Sequence, residues 1–474
     1  MQANYIDGTW TGAADGIDDV NPSDTRDVIG TYASADAQQM RQAVAAARAA
    51  GDAWARTTIQ ERADFLHGVA ADILARRDEL GDILVREAGK TRAEAVGEVA
   101  RAGHIFNFFA GEAVRYGGEN LPSVRPGIGV QTSRHPVGVV SMITPWNFPI
   151  AIPAWKMAPA LAFGNTLVLK PSEYTPAIAV ELFRIFERRG LPPGVANLVN
   201  GTGAAAGAAL LEGVDAVSFT GSAATGRLIA ARAAPAMIRV QLEMGGKNPL
   251  VVLDDADLDV AVECAVNGAF FSAGQRCTAS SRLVVTAGIH DRFVAAVQKR
   301  MQALKVGDSR DPGTHIGPVI NDRQLEKILD YVAIGRSEGA ELVEGGGIAE
   351  AATPGHFMQP TLFAQTRNAM RINQEEIFGP VTAVIRVQDY DEALAVANNT
   401  EYGLSSGICT ASHKLANHFR LNVRSGLTMV NLPTAGLDYH VPFGGVKASS
   451  YGPREQGGHA VEFYTTSKTA YVGY

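Results

Sequence analysis

From Val137 onward the chain alternates two textures, and that alternation restricts its fold more than any other feature. Val137–Ile143 is an apolar, β-branched run that ends at the turn Thr144-Pro145-Trp146-Asn147. Thr166–Lys170, Val195–Val199 and Ala216–Thr220 are further short strand patterns, and Thr175–Arg189, Ala204–Glu212 and Gly226–Ala234 carry helical ones. Strands joined by helical crossovers imply βαβ units and a parallel sheet. A second α/β series starts near Asn248. It has strands at Leu250–Leu253 and Arg282–Val285, and helices at Val260–Phe271, Ile289–Leu304 and Asp322–Glu338. Ahead of both, Ala35–Ala55, Gln60–Ala88 and Arg92–Val114 read as helices. Gly117–Pro126 is broken by Gly and Pro. Ile128–Arg134 and Val461–Val472 alternate in polarity and read as edge strands able to pair across a subunit boundary.

With 474 residues the chain exceeds what one hydrophobic core supports, so two large domains are expected. A 46% hydrophobic and 19% charged composition is that of an ordinary globular protein. The net charge of -7 and the lack of a basic run argue against a nucleic-acid partner. The longest apolar region, Phe148–Gly164, is interrupted by Pro149, Pro153, Lys156 and Pro159, which argues against a membrane span. Residues 1–20 lack the basic start and apolar stretch of a signal peptide, so a cytoplasmic location is expected. Cys264, Cys277 and Cys409 are odd in number and far apart, so no disulfide framework is implied, and no Cys/His cluster suggests a metal.

Two segments carry the chemistry. In Phe271-Ser272-Ala273-Gly274-Gln275-Arg276-Cys277-Thr278-Ala279 a turn of small residues follows a helix and presents one cysteine. Gly274 permits close backbone approach, which suits an exposed nucleophile. Cys264 and Cys409, set among apolar residues, fit ordinary core packing. Cys277 is flanked by Arg276, whose charge is expected to favour the thiolate. In Gln241-Leu242-Glu243-Met244-Gly245-Gly246-Lys247-Asn248, Glu243 ends an apolar segment before a Gly-Gly turn. It reads either as a solvated strand-end carboxylate or as a general base for water.

Read together, Thr144-Pro145-Trp146-Asn147-Phe148-Pro149, Lys170-Pro171-Ser172-Glu173, Phe219-Thr220-Gly221-Ser222, Glu243-Met244-Gly245-Gly246-Lys247, Gly274-Gln275-Arg276-Cys277, Glu375-Glu376-Ile377-Phe378-Gly379-Pro380 and Pro442-Phe443-Gly444-Gly445 resemble the aldehyde dehydrogenase superfamily in order and over essentially the whole chain. The resemblance implies that Cys277 attacks the aldehyde, and that Asn147 and the Cys277 N–H hold the oxyanion. A thiohemiacetal then becomes a thioester, which Glu243 hydrolyses with activated water; Lys156 and Glu455 match relay positions. It implies a dinucleotide held by Trp146, Lys170, Glu173, Gly221, Ser222, Gly226, Glu376 and Phe378. NAD is expected because Glu173 repels a 2′-phosphate, with NADP as the alternative. Gly221–Gly226 is not the Gly-x-Gly-x-x-Gly fingerprint, but a helix N-terminus there still favours a pyrophosphate.

Within that superfamily, Asn431–Gly445, Ser449–Gly457 and Gly274–Arg282 are similar to the α-ketoglutaric semialdehyde (2,5-dioxopentanoate) dehydrogenase group. Such a substrate carries a distal carboxylate, which needs a cation or several donors. Arg276, Thr278 and Thr434 are the candidates, with Trp155, Leu437 and Phe443 lining the tunnel; the alternative reading of Arg276 is a shell residue that tunes Cys277. The rivals are succinic semialdehyde or broad-range oxidation, a cysteine hydrolase of esters, and a catalytically silent structural protein of the same fold. Trp155 stands where the succinic semialdehyde group usually has arginine. The expected architecture is α/β: a Rossmann-like cofactor domain (1–117 and 137–245), an α/β catalytic domain (246–462), and a small β oligomerisation ribbon (118–136 and 463–474) that forms a homodimer or homotetramer.

Overall fold

The computed structural model describes residues 1–203, 207 and 209–474. The helix expected over Ala204–Glu212 therefore lies partly outside the described residues. Two sheets organise the rest. The first runs, in spatial order, through 450–451, 239–243, 216–220, 139–143, 166–170, 196–198, 4–6 and 9–11. Its five central strands are parallel: Val140 pairs with Ala216 on one side and Leu167 on the other, and Thr220 pairs with Glu243. Among the parallel strands the chain starts at 139–143, winds outward to 196–198, then returns to the other side at 216–220. The order reverses between 139–143 and 216–220, and in such sheets ligands sit at the carboxyl ends beside the reversal.

The second sheet has the order 341–344, 361–366, 381–387, 280–286, 248–252, 405–409 and 427–430, parallel except at its first strand. Its central strands are covered by helices on both faces, which is why Leu250–Val252, Leu283–Val285 and Ala383–Ile385 are continuous apolar runs instead of alternating. Strand Ser450–Tyr451 leaves this half of the chain and joins the first sheet beside Leu242 and Glu243.

The expected helix Gln60–Ala88 is two helices, Ile59–Ala75 and Arg77–Glu87. No Pro or Gly announces the break. Arg76 is the residue between them, with φ of -102° and ψ of 17°, and its guanidinium meets Glu79 at 2.5 Å and Glu181 at 2.8 Å. Capping boxes at Thr58/Glu61 and Thr91/Glu94 begin Ile59–Ala75 and Arg92–Ala113. The apolar region with three prolines contains the helix Ala151–Ala162, buried along its whole length. No helix among the described residues is long and apolar enough to cross a membrane.

At the C-terminus the alternating pattern begins later than expected. Val461–Tyr464 is a short helix packed in the core, and the strand is Thr465–Gly473. The strand pairs antiparallel with Ile128–Pro136, which also pairs with Asn120–Pro122. This ribbon leaves Leu121, Tyr471, Val472 and Tyr474 exposed.

Candidate active site

One cavity of about 470 Å³ lies at the reversal point of the first sheet. The strand Val139–Ile143 delivers Pro145, Trp146 and Asn147 to it, Ala216–Thr220 delivers Gly221 and Ser222, and Arg239–Glu243 delivers Glu243. The second half of the chain contributes Cys277, Thr278, Glu376 and Phe378.

Cys277 is held by a strained turn. Ser272 and Ala273 have φ of 54° and 52°, and Gly274 follows at 66°. These are left-handed values that cost energy for residues with a Cβ. A Cβ on Gly274 would sit 2.1 Å from the Gly379 carbonyl oxygen, so only glycine fits. Glu94 accepts hydrogen bonds from the Ser272 N–H and hydroxyl, at 2.8 and 2.9 Å. Beyond the cysteine, the Asn248 amide donates to the carbonyls of Cys277 and Ala279 at 2.8 and 2.9 Å. The nucleophile's backbone is therefore fixed on both sides. A Cβ on Gly246 would lie 2.7 Å from the Cys277 carbonyl, which explains the second glycine of the Gly-Gly turn. The first, Gly245, lies against the Glu376 carboxylate, and the Gly246 N–H donates to Glu376 at 2.9 Å.

The Cys277 thiol faces the cavity, whereas Cys264 and Cys409 are buried in the core of the second half. Burial, with Glu376 and Glu243 nearby, pushes the Cys277 thiol up to about 12. The expectation that Arg276 favours the thiolate is therefore not met. The Arg276 fork swings toward helix Arg92–Ala113: Nη2 meets Glu94 at 3.2 Å, Nε meets the Ser272 hydroxyl at 3.1 Å, and Nη1 reaches Asn267. Arg276 borders the cavity but spends its donors on the protein.

Glu243 is buried, and desolvation raises its carboxyl to about 8, partly offset by a hydrogen bond from the Ser450 hydroxyl at 2.6 Å. Ser450 reaches it because its strand pairs with the end of Arg239–Glu243. Lys156 and Glu455 form a fully buried ion pair, and Lys156 also donates to Ser218 at 2.7 Å. They act on Glu243 through charge, while its direct hydrogen-bond partner is Ser450. Asn147 donates one amide hydrogen to the Gln275 carbonyl at 3.0 Å, which leaves its second donor for the cavity.

The expected cofactor residues divide. Trp146, Gly221, Ser222, Glu376 and Phe378 line the cavity, with the Trp146 and Phe378 rings edge-to-face at 5.4 Å. Ser222 caps helix Ala223–Ala233 by accepting from the Thr225 N–H. Gly226 lies inside that helix, where a Cβ would meet the Met244 sulfur at 2.5 Å. Lys170 and Glu173 stand outside the cavity at the end of the neighbouring strand, and the Lys170 ammonium binds the Gly201 carbonyl at 2.8 Å.

Among the expected substrate residues, Trp155 and Phe443 stack at 5.3 Å on the cavity wall, joined by Thr278 and Leu437. Thr434 is a correction. It is fully buried behind the wall, where its hydroxyl donates to the Thr278 carbonyl and pairs with Ser280, each at 2.7 Å. A hydroxyl satisfied inside the core has no reason to face a ligand. Three lining or supporting residues were missed: Ser450, Glu94 and Arg101. Ser450 sat within the segment similar to the semialdehyde group. The Thr91-x-x-Glu94 capping pattern marked Glu94 only as a helix start.

The strand-end cavity, with a cysteine opposite a buried carboxylate, defines an α/β protein of doubly wound type with a covalent-catalysis chamber. The chain belongs to the aldehyde dehydrogenase family, whose description, Aldehyde dehydrogenase family, matches residues 10–470. It is 45% identical to an alpha-ketoglutarate semialdehyde dehydrogenase of Haloferax volcanii, covering 99% of both chains. It is 42% identical to an alpha-ketoglutaric semialdehyde dehydrogenase of Bacillus subtilis, over 99% of this chain and 97% of that one. The betaine aldehyde dehydrogenase of Staphylococcus aureus, solved in complex with NAD+, superposes with a TM-score of 0.97 at 36% identity, covering 100% of this chain and 95% of that one.

Proposed function

We propose that this protein oxidises 2,5-dioxopentanoate to 2-oxoglutarate, with NAD as the hydride acceptor. The observation that carries the reading is one cavity holding the Cys277 thiol, Glu243 and Asn147 together with Gly221, Ser222, Glu376 and Phe378. Similarity at 45% and 42% identity to α-ketoglutarate semialdehyde enzymes over nearly the full chain supports the substrate.

The residues fit a dinucleotide. The cavity reaches the capped N-terminus of helix Ala223–Ala233, whose first N–H groups and dipole favour a pyrophosphate. Glu376 and Phe378 border it, and Lys170 with Glu173 stands at the adjacent strand end. When bound, the dinucleotide supplies the acceptor for a hydride.

The chain's own residues do the rest. Cys277 Sγ bonds to the aldehyde carbon as its proton passes to solvent water. The carbonyl oxygen becomes an oxyanion facing the free donor of Asn147 and the Cys277 N–H; such a donor is worth about 3–4 kcal/mol in comparable sites. Loss of hydride from the thiohemiacetal leaves a thioester on Cys277. Ionised Glu243 takes a proton from water, the resulting hydroxide equivalent attacks the thioester carbon, and the C–S bond breaks. The acid leaves, and the proton taken up by Glu243 passes to the departing sulfur, restoring the thiol and the ionised carboxylate. The Lys156–Glu455 pair and the Ser450 hydroxyl set how readily Glu243 holds that proton.

Residues 1–117 and 137–245 form the cofactor domain, 246–462 the catalytic domain, and strands in 118–136 and 463–474 join subunits into a homodimer or homotetramer in the cytoplasm. The exposed apolar residues of the terminal ribbon support that assembly.

A panel of semialdehydes and neutral aldehydes of two to six carbons, run with NAD and NADP, tests the reading. Highest kcat/KM is expected for 2,5-dioxopentanoate with NAD, and Glu173→Gln should narrow the gap to NADP. A preference for succinic semialdehyde or for neutral aldehydes overturns the substrate; an NADP preference overturns the cofactor.

A further inference from the structure

Two arginines border the cavity, Arg276 and Arg101. Arg276 has a counter-ion, Glu94, at 3.2 Å. Arg101 has none: among the described residues no carboxylate lies within ion-pair distance of it. Its donors meet neutral oxygens, with Nη1 on the Leu437 carbonyl and Nη2 on the Gln456 side chain at 3.0 Å, while Nε is buried without a partner. Two carboxylates act on Arg101 from beyond that distance: Asp438, next to Leu437, is exposed, and Glu98, on its own helix, is already held by Lys90 and by the N–H groups of Ile150 and Ala151. Taking a charge out of water without partners is costly; Arg282, which also lacks a counter-ion, spends its donors on carbonyls and Asn368, whereas Arg101 Nε has no partner.

The location has meaning as well as the imbalance. Glu94, Gly97, Glu98 and Arg101 recur at helical spacing and form the face of Arg92–Ala113 that borders the cavity. Opposite them lies the segment Ala435–Leu437, tied to the helix through the Arg101–Leu437 bond and through Tyr439 stacked on His104 at 5.4 Å. Arg101 is close enough to Cys277 for their charges to interact. A five-carbon substrate bonded to Cys277 through one end spans roughly 5 Å to its other end.

We infer that Arg101 is the residue that selects aldehydes bearing a distal carboxylate, forming the ion pair that the folded protein leaves open. The inference rests on the proposed semialdehyde oxidation and names the residue that would give it specificity. An arginine fork suits a carboxylate because two parallel N–H groups can face its two oxygens. The Leu437 carbonyl and Gln456 hold the guanidinium flat beside the cavity, so little side-chain entropy is lost when the substrate arrives.

The test compares wild-type protein, Arg101→Met and Arg101→Lys on 2,5-dioxopentanoate and on pentanal, with glutarate as a competitive inhibitor. Loss of a charge-assisted bond should raise KM for 2,5-dioxopentanoate about ten- to hundredfold in Arg101→Met, with kcat changed far less. The glutarate inhibition constant should rise in parallel. Pentanal kinetics should stay within about threefold, and Arg101→Lys should recover part of the loss. Equal losses on both substrates would show that Arg101 only anchors the Leu437 segment, and would overturn the inference. So would an unchanged KM for 2,5-dioxopentanoate. Wild-type protein that does not favour the charged aldehyde would instead overturn the proposed function, which separates the two failures.

Discussion

The two sides of the cavity treat charge in opposite ways. Around Cys277 the titratable groups are acids packed closely together. Burial raises Cys277, Glu243 and Glu376, and of the fully buried lysines nearby Lys156 is committed to Glu455 while Lys247 lies beside Glu376. That side holds protons and excludes net charge. Along helix Arg92–Ala113 the protein keeps the partly buried Arg101 guanidinium with no carboxylate within ion-pair distance among the described residues. That side accepts a negative charge from outside. Nucleophilic chemistry with a proton to move needs the first environment, and recognition of an anion needs the second. One cavity can hold both because Arg276, which stands between them in sequence, is neutralised by Glu94.

The largest test of this contrast is at the nucleophile. Cys277→Ala should lower aldehyde oxidation by about 10⁴-fold or more, while Cys264→Ala and Cys409→Ala, being core substitutions, should leave kcat within a few-fold. Near-normal turnover in the Cys277 variant would remove covalent catalysis from the proton-holding side.

Next comes the base. Glu243→Gln should still release one equivalent of reduced cofactor in a stopped-flow burst, then turn over about 10²- to 10⁴-fold more slowly. The burst precedes hydrolysis, so its survival separates base from nucleophile. Loss of the burst with steady turnover intact would give Glu243 a different role.

Arg276→Met sharpens the contrast between the arginines. It leaves Glu94 without its partner and loosens the strained Ser272–Gly274 turn, so kcat/KM should fall by about tenfold for charged and neutral aldehydes alike. Unfolding free energy should fall by roughly 2–3 kcal/mol, measured in denaturant. A loss confined to carboxylate-bearing substrates would return the selecting role to Arg276.

The smallest effect concerns pH. The working form of Glu243 is the ionised one, and its carboxyl is raised to about 8. Deacylation should therefore increase from pH 7 to 9 as the proton leaves. The Ser450 hydroxyl stabilises the carboxylate, so Ser450→Ala should move the midpoint of that rise upward by about one unit. A downward or absent shift in the pH–rate profile would show that Ser450 does not tune the base.

Much of the fold was legible because local pattern and tertiary role agree. Thr166–Lys170 and Ala216–Thr220 were read as strands at their observed limits, since a β-branched run too short for a helix can be buried on both faces only in a parallel sheet. The helix break at Arg76 was not legible, because no Pro or Gly marks it and the partner its side chain meets, Glu181, is distant in sequence. The short helix Val461–Tyr464 was likewise hidden: its residues alternate like a strand, and core packing overrode the pattern.

For the site, the sequence by itself determined which groups carry the chemistry. Cys277 in its small-residue turn and Glu243 before Gly245-Gly246 stand out because a nucleophile on a tight turn and a carboxylate at a strand end need glycines in those places. Only the tertiary structure decided where each side chain spends its donors. Arg276 and Thr434 are plausible ligands by residue type, yet Glu94, Asn267 and Ser272 occupy the first, and the Thr278 carbonyl and Ser280 the second. Arg101, unremarked in the sequence, is the one of the two cavity arginines without a carboxylate within ion-pair distance among the described residues. A hydrogen bond is satisfied by whichever partner the fold brings within about 3 Å, and that partner is set by packing between distant segments, which no local pattern records.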